Sequence, residues 1–227
     1  MKAAVYKGDG RPVKKIAPSL MCADFLHLYR DIKELERLGA DYLHLDIMDG
    51  SFVPNYTLGT DYTAAVKKAS TIPLDIHLMI DEPERKTDWF LFGEGDYVSV
   101  HYEATKHVQR TIQKIKDRGA KTMLALNPAT PLCVIEDVAR DLDAVLIMTV
   151  NPGYAGQKLV VQTIDKIKRL KDMYPCIEIE VDGNVSFENA RLMSDAGADI
   201  FVAGSSSLFQ KGKSLEENFK LLRESII

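Results

Sequence analysis

Leu43-His44-Leu45-Asp46-Ile47-Met48-Asp49-Gly50 is the stretch whose reading decides the fold. Its side chains alternate in character, as in a strand whose successive residues point to opposite faces. Leu43, Leu45 and Ile47 suit packing beneath a helix, and His44, Asp46 and Met48 share the other face. An imidazole and a carboxylate facing a core are costly without partners. They form either a satisfied polar pair or a metal or catalytic site. The pattern returns in Leu74-Asp75-Ile76-His77-Leu78-Met79, with Asp75, His77 and Met79 on one face. It returns again in Ile177-Glu178-Ile179-Glu180-Val181-Asp182-Gly183, with Glu178, Glu180 and Asp182 together. Neighbouring strands of a parallel barrel would bring these ends to one mouth.

The rest of the chain supplies the units such a barrel needs. Gly39-Ala40-Asp41, Gly95-Asp96, Gly119-Ala120-Lys121 and Gly197-Ala198-Asp199 each end a helical stretch and precede an apolar strand. Further strands are expected at Ile16–Leu20, Tyr97–His101, Lys121–Leu126, Ala144–Val150 and Ile200–Ala203. Helices are expected from an Asp24 cap to Leu38, from Pro83 to about Gly93, and after a Thr130 cap with Pro131 at the first helical position. Eight strand–helix units predict an α/β fold, a single (β/α)8 barrel over residues 16–227, behind a polar leader at 1–15. A doubly wound open sheet is the alternative. Against it, the first strand lacks a glycine-rich dinucleotide turn, and polar residues close several strands rather than one crevice.

The 227 residues suffice for a large core, and a net charge of −4 with no dense basic cluster speaks against a nucleic-acid partner. No apolar run approaches a membrane span, and the N-terminus lacks the apolar region of a signal peptide. Cys22, Cys133 and Cys176 are an odd, widely spaced set, so reduced thiols in a cytoplasmic protein are expected.

His44, Asp46, His77 and Asp182 are candidates for one divalent metal site, two imidazoles and two carboxylates suiting a borderline ion. Asn151-Pro152-Gly153-Tyr154-Ala155-Gly156-Gln157, Asp182-Gly183-Asn184 and Gly204-Ser205-Ser206 follow the last three strands. Their glycines either make tight turns or let backbone N–H groups approach a phosphate. Met48, Met79 and Met148 near strand ends are core filler or a dry lining around the mouth. Ser19 could touch a substrate hydroxyl. His27 and His107 read as surface helix residues, and His101 as a group behind the ligands or in the core.

Several of these motifs together resemble the ribulose-phosphate 3-epimerase family. They are Ala17-Pro18-Ser19, His44 to Gly50 with Phe52-Val53-Pro54-Asn55, Leu74 to Met79, Val150 to Gly153 with Gly156-Gln157, Glu180 to Gly183, and Ala203-Gly204-Ser205. The resemblance covers nearly the whole chain after residue 15 and implies a barrel of the ribulose-phosphate-binding type. It also implies one divalent cation (Zn, Fe, Mn, Co or Mg) on His44, Asp46, His77 and Asp182. By the same resemblance Asp46 accepts a proton and Asp182 donates one. Ser19 and His77 touch substrate, and Gly153–Gly156, Asp182–Asn184 and Gly204–Ser205, with Ser206 beside them, hold the phosphorylated ketose. The family further implies a homo-oligomer, dimer or hexamer, and a place in pentose phosphate metabolism.

Ser51 stands where a histidine is usual, and Asn184 where a second glycine is usual. Ser205-Ser206-Ser207-Leu208-Phe209 and Leu20-Met21-Cys22 look closer to the allulose-6-phosphate 3-epimerase branch. Ribulose 5-phosphate is the expected substrate, with D-allulose 6-phosphate, epimerised to D-fructose 6-phosphate, the alternative. A phosphosugar-binding barrel without catalysis would not need two opposed carboxylates. A metal-independent lyase or decarboxylase would want a lysine at an inward strand end, and the sequence offers none there.

Overall fold

The computed structural model describes residues 13–226. In chain order the elements are β1 (Lys15–Pro18), α1 (Leu28–Leu38), β2 (Leu43–Asp49), β3 (Tyr56–Thr57), α2 (Thr60–Ala69), β4 (Leu74–Met79), α3 (Pro83–Lys86) and β5 (Tyr97–His101). They continue with α4 (Val108–Lys116), β6 (Lys121–Leu126), β7 (Ala144–Met148), α5 (Gln162–Met173), β8 (Glu178–Asp182), α6 (Phe187–Asp195), β9 (Ile200–Ala203) and α7 (Leu215–Ser225). The sheet runs β1-β9-β8-β7-β6-β5-β4-β2-β3, parallel throughout except for the two-residue β3, which folds back on the end of β2. A parallel bridge from Ser19 to His44 joins its two flanks, so eight strands close into a barrel. The proposed leader lies largely outside the described residues.

Alternation along each strand sorts the side chains into two cores. Outward residues such as Leu43, Leu45, Leu74, Ile76, Val98 and Ile179 pack with Ile32, Leu35, Ile112, Ile167 and Leu222 of the helices. Inward, Ala17, Tyr42, Tyr97, Met123, Leu146 and Ile200 fill the barrel. Its lower end is plugged by Glu178, which accepts from the Tyr97 hydroxyl (2.6 Å) and the Lys15 ammonium (2.5 Å). The interior above this plug is where the polar strand ends gather.

Three expected helices differ. α1 starts at Leu28 because the Asp24 carboxylate is occupied in a preceding turn, accepting from Leu26 N (3.0 Å) and meeting His27 Nδ1 (2.7 Å). α3 stops at Lys86, followed by a 3-10 turn at Thr87–Trp89. There the Arg118 guanidinium draws the Thr87 and Phe90 carbonyls to itself, each at 2.7 Å. Between β6 and β7 the chain forms only 3-10 turns at Leu132–Ile135 and Ala139–Asp141. Thr130, the expected cap, gives its hydroxyl to Glu103 instead. Among the described residues no helix is long and apolar enough to cross a membrane.

Candidate active site and metal centre

Register sets the heights of the functional side chains. Asp46 on β2 lies opposite His77 on β4, and Met148 on β7 opposite Asp182 on β8. His44 sits one inward position deeper than Asp46. Ligand atoms of His44, Asp46, His77 and Asp182 all lie within 4.8 Å of one another. Asp46 Oδ1 stands 3.3 Å from His44 Nε2 and 3.5 Å from His77 Nδ1, which is 3.6 Å from Asp182 Oδ2. Ser19 donates its hydroxyl to the other Asp46 oxygen at 2.7 Å.

These residues fit a cation. His77 Nδ1 is buried and has no hydrogen-bond partner, although two carboxylate oxygens face it just beyond bonding range. Such gaps suit ligands sharing an ion with bonds of about 2.0–2.2 Å, and an orphaned imidazole nitrogen is otherwise costly. His44 is aimed from behind, its Nδ1 2.5 Å from Asp75 Oδ2, which leaves Nε2 towards the cluster.

The two aspartates are driven in opposite directions. Burial acts to raise the Asp46 pKa, but the charge and hydrogen bond of His44, with the His77 ring close by, outweigh it, and Asp46 is held far below the usual carboxylate range. Asp182 has no such hydrogen bond. Burial, then the charge of Asp46, pushes it up to about 7. Two carboxyls whose surroundings separate them this way can serve as base and acid. Burial lowers the His77 pKa, whereas His44 lies above its ordinary value because Asp75 and Asp46 outweigh burial. Metal binding would displace a proton from His44.

Above the cluster opens a cleft of about 560 Å³. Ser19, Asp46, Met48, Met79, Met148, Gly153, Tyr154, Ala155, Gly156, Asp182, Gly183, Asn184, Gly204, Ser205 and Ser206 all line it. His44 and His77 lie beneath its floor, with no exposed surface. Sequence reading overlooked the cleft positions of Val185 and Val202, and gave Met21 and Cys22 no site role. Cys22, Cys133 and Cys176 are all free. His27 and His107 are exposed and precede α1 and α4 directly. Asn184 adopts φ +47°, a left-handed conformation that asparagine tolerates better than most residues, which accounts for its standing where glycine is usual.

Two loops meet over the mouth. Asn55 Nδ2 donates to Gly153 O at 2.8 Å, and the Tyr154 hydroxyl donates to Pro54 O. Asp49 anchors the first loop, accepting from Ser51 N and Phe52 N with one oxygen and from Asp81 N and Lys86 Nζ with the other. Burial opposes the Asp49 charge, but Lys86 and the backbone donors prevail and lower its pKa to about 2. The folded value lies below the unfolded 3.8, so this stability is complete above pH 3.8 and is lost as pH falls through about 2. Asp49→Asn should therefore be less stable than wild type at pH 6, with the gap narrowing between about pH 4 and 2 in urea unfolding.

Known proteins resemble this chain in sequence and in fold. The model of the ribulose-phosphate 3 epimerase family matches residues 15–209. A Bacillus subtilis protein named ribulose-phosphate 3-epimerase is 50% identical over 196 residues, covering 84% of this chain and 90% of the relative. One of the same name from Methanocaldococcus jannaschii is 43% identical, covering 94% and 91%. Among solved structures, KGPDC from Streptococcus mutans superposes with a TM-score of 0.69 at 11% identity, covering 94% of this chain and 97% of that one. The 3-hexulose-6-phosphate synthase from Salmonella typhimurium gives 0.65 at 14%, covering 93% and 98%. At such low identity these two speak for the barrel alone. On the family match and the identity to its members, this chain belongs to the ribulose-phosphate 3-epimerase family.

Proposed function

We propose that the chain is a metal-dependent isomerase that interconverts D-ribulose 5-phosphate and D-xylulose 5-phosphate by moving a proton between the two faces of C3. The observation that carries this reading is the convergence of Asp46 and Asp182, from separate strands, on one cluster with His44 and His77. The relatives described above are named for the five-carbon substrate.

A proton beside a ketone is weakly acidic, so its removal needs a base and some relief for the charge that develops on the carbonyl oxygen. A divalent cation held by His44, Asp46, His77 and Asp182 would supply positive charge there. Asp46 is the base, kept ionised by His44 and pinned by Ser19. Asp182 is the acid, returning a proton to the opposite face of the planar carbon. Met48, Met79 and Met148 wall the reacting carbons with apolar, polarisable surface. The phosphate falls to the loops at Gly153–Gly156, Gly183–Asn184 and Gly204–Ser206, which hold the sugar in register while one carbon inverts.

Steady-state kinetics on ribulose 5-phosphate and allulose 6-phosphate, side by side, tests the reading. The five-carbon ketose should be preferred by at least about tenfold in kcat/KM, the scale of discrimination a single added carbon allows. A preference for the six-carbon ketose would overturn the substrate assignment. Chelator treatment should abolish turnover, and one equivalent of a divalent ion should restore it. Elemental analysis of the protein as purified would name the ion among Zn, Fe, Mn, Co and Mg.

A further inference from the structure

The Nε2 atoms of His77 and His101 lie 2.8 Å apart, whereas the ring centroids are 5.0 Å apart. The rings therefore meet edge to edge and share one proton between nitrogens. His101 Nδ1 on the far side faces Glu103 Oε2 at 3.3 Å. Both histidines are completely buried, and Glu103 stands where the row reaches the surface.

With both fully buried imidazoles neutral, the form burial favours, the protons of this row have one consistent arrangement. Glu103 Oε1 accepts from Asn127 N at 2.9 Å and from the Thr130 hydroxyl, so this end of the carboxylate is fixed as an acceptor. Oε2 is an acceptor too, because the carboxylate is ionised. Burial opposes that charge, but bonds from His101, Thr130 and Asn127 bring its pKa to about 2. His101 must then carry its proton on Nδ1 and present a bare Nε2 to His77. His77 must donate from Nε2, which leaves Nδ1 as a lone pair. That nitrogen is the unpartnered one aimed at Asp46 and Asp182.

We infer that Glu103 and His101 are positioning residues that fix the tautomer of His77 so that its Nδ1 is the cation-binding atom. The inference rests on the metal-dependent reading above and extends it to two residues outside the cleft. Histidine ligands commonly take their tautomer from the hydrogen bond at the other ring nitrogen, and losing that partner lowers metal affinity by about 10–100-fold. Here the partner acts through an intervening imidazole. The device complements the Asp75–His44 pair, so one histidine offers Nε2 and the other Nδ1.

Glu103→Gln tests this with almost no change of shape. The Asn127 N–H holds the amide oxygen, so the amide NH₂ turns towards His101, reverses both tautomers and places a proton on His77 Nδ1. Zinc affinity, read by competition with a chromogenic chelator, should fall at least about tenfold. Thr130→Val removes another bond to the same carboxylate without touching the proton order, and should keep wild-type affinity within about twofold. Imidazole ¹⁵N shifts of the metal-free wild-type protein give the tautomers directly and need no variant to fold. They should show His77 protonated on Nε2 and His101 on Nδ1. A proton on His77 Nδ1, wild-type affinity in Glu103→Gln, or equal losses in both variants would overturn the inference. None of these outcomes depends on which sugar phosphate the enzyme turns over.

Discussion

Asp46→Asn and Asp182→Asn should each lower kcat by about a thousandfold or more and leave the barrel folded. Positioned proton transfer contributes about 10²–10⁴-fold, and each variant also removes one carboxylate from the proposed cation site. The carboxamide keeps nearly the same shape, so packing around β2 and β8 should survive. The two losses differ in origin. Asparagine at 46 cannot accept the C3 proton, although Ser19 can still donate to the amide oxygen. Asparagine at 182 cannot return a proton but removes a buried carboxyl that burial and Asp46 destabilise when ionised. Metal-free Asp182→Asn should therefore be at least as resistant to heat as wild type at about pH 8, above the folded value of the carboxyl it replaces. Circular dichroism melts and turnover assays on the same samples check both statements.

Gly183→Ala should be among the most damaging single-methyl additions in the protein. Gly183 holds φ +118°, a region open chiefly to glycine, and a Cβ there would lie 2.5 Å from Val150 Cγ2 and 2.8 Å from Val150 N. The backbone nitrogen cannot swing aside as a side chain would. Strain and overpacking together should cost about 2–4 kcal/mol, which lowers Tm by about 5–15 °C in a chain of this size. Because Thr149 donates to the Gly183 and Asp182 carbonyls, the shift would also move Asp182. Activity should fall further than stability alone explains. A variant with wild-type Tm and kcat would show that the tight fit between these strand ends is unimportant.

The strand ends were legible because period-two alternation survives in a barrel: Leu43, Leu45 and Ile47 face the helices, and His44, Asp46 and Met48 face inward. Chemistry and order, not spacing, linked His44, Asp46, His77 and Asp182, which come from three segments that only strand register brings level. Helix limits were less legible, because long-range partners set them. Arg118 ends α3 from a distant part of the chain, and Glu103 claims the hydroxyl of Thr130. The same is true of the row behind His77. His101 could be read as a group behind the ligands, but nothing local reveals that its two nitrogens reach His77 on one side and Glu103 on the other.

Deuterium exchange separates the two proposed proton carriers most directly. Metal-loaded Asp182→Asn is incubated with ribulose 5-phosphate in D₂O, and label at C3 is followed alongside formation of xylulose 5-phosphate. With opposed carboxylates, Asp46 still removes and returns the proton on its own face, so label enters recovered ribulose 5-phosphate while almost no xylulose 5-phosphate forms. Xylulose 5-phosphate appearing as fast as label enters would mean that one carboxylate serves both faces, and the two-base account would be wrong.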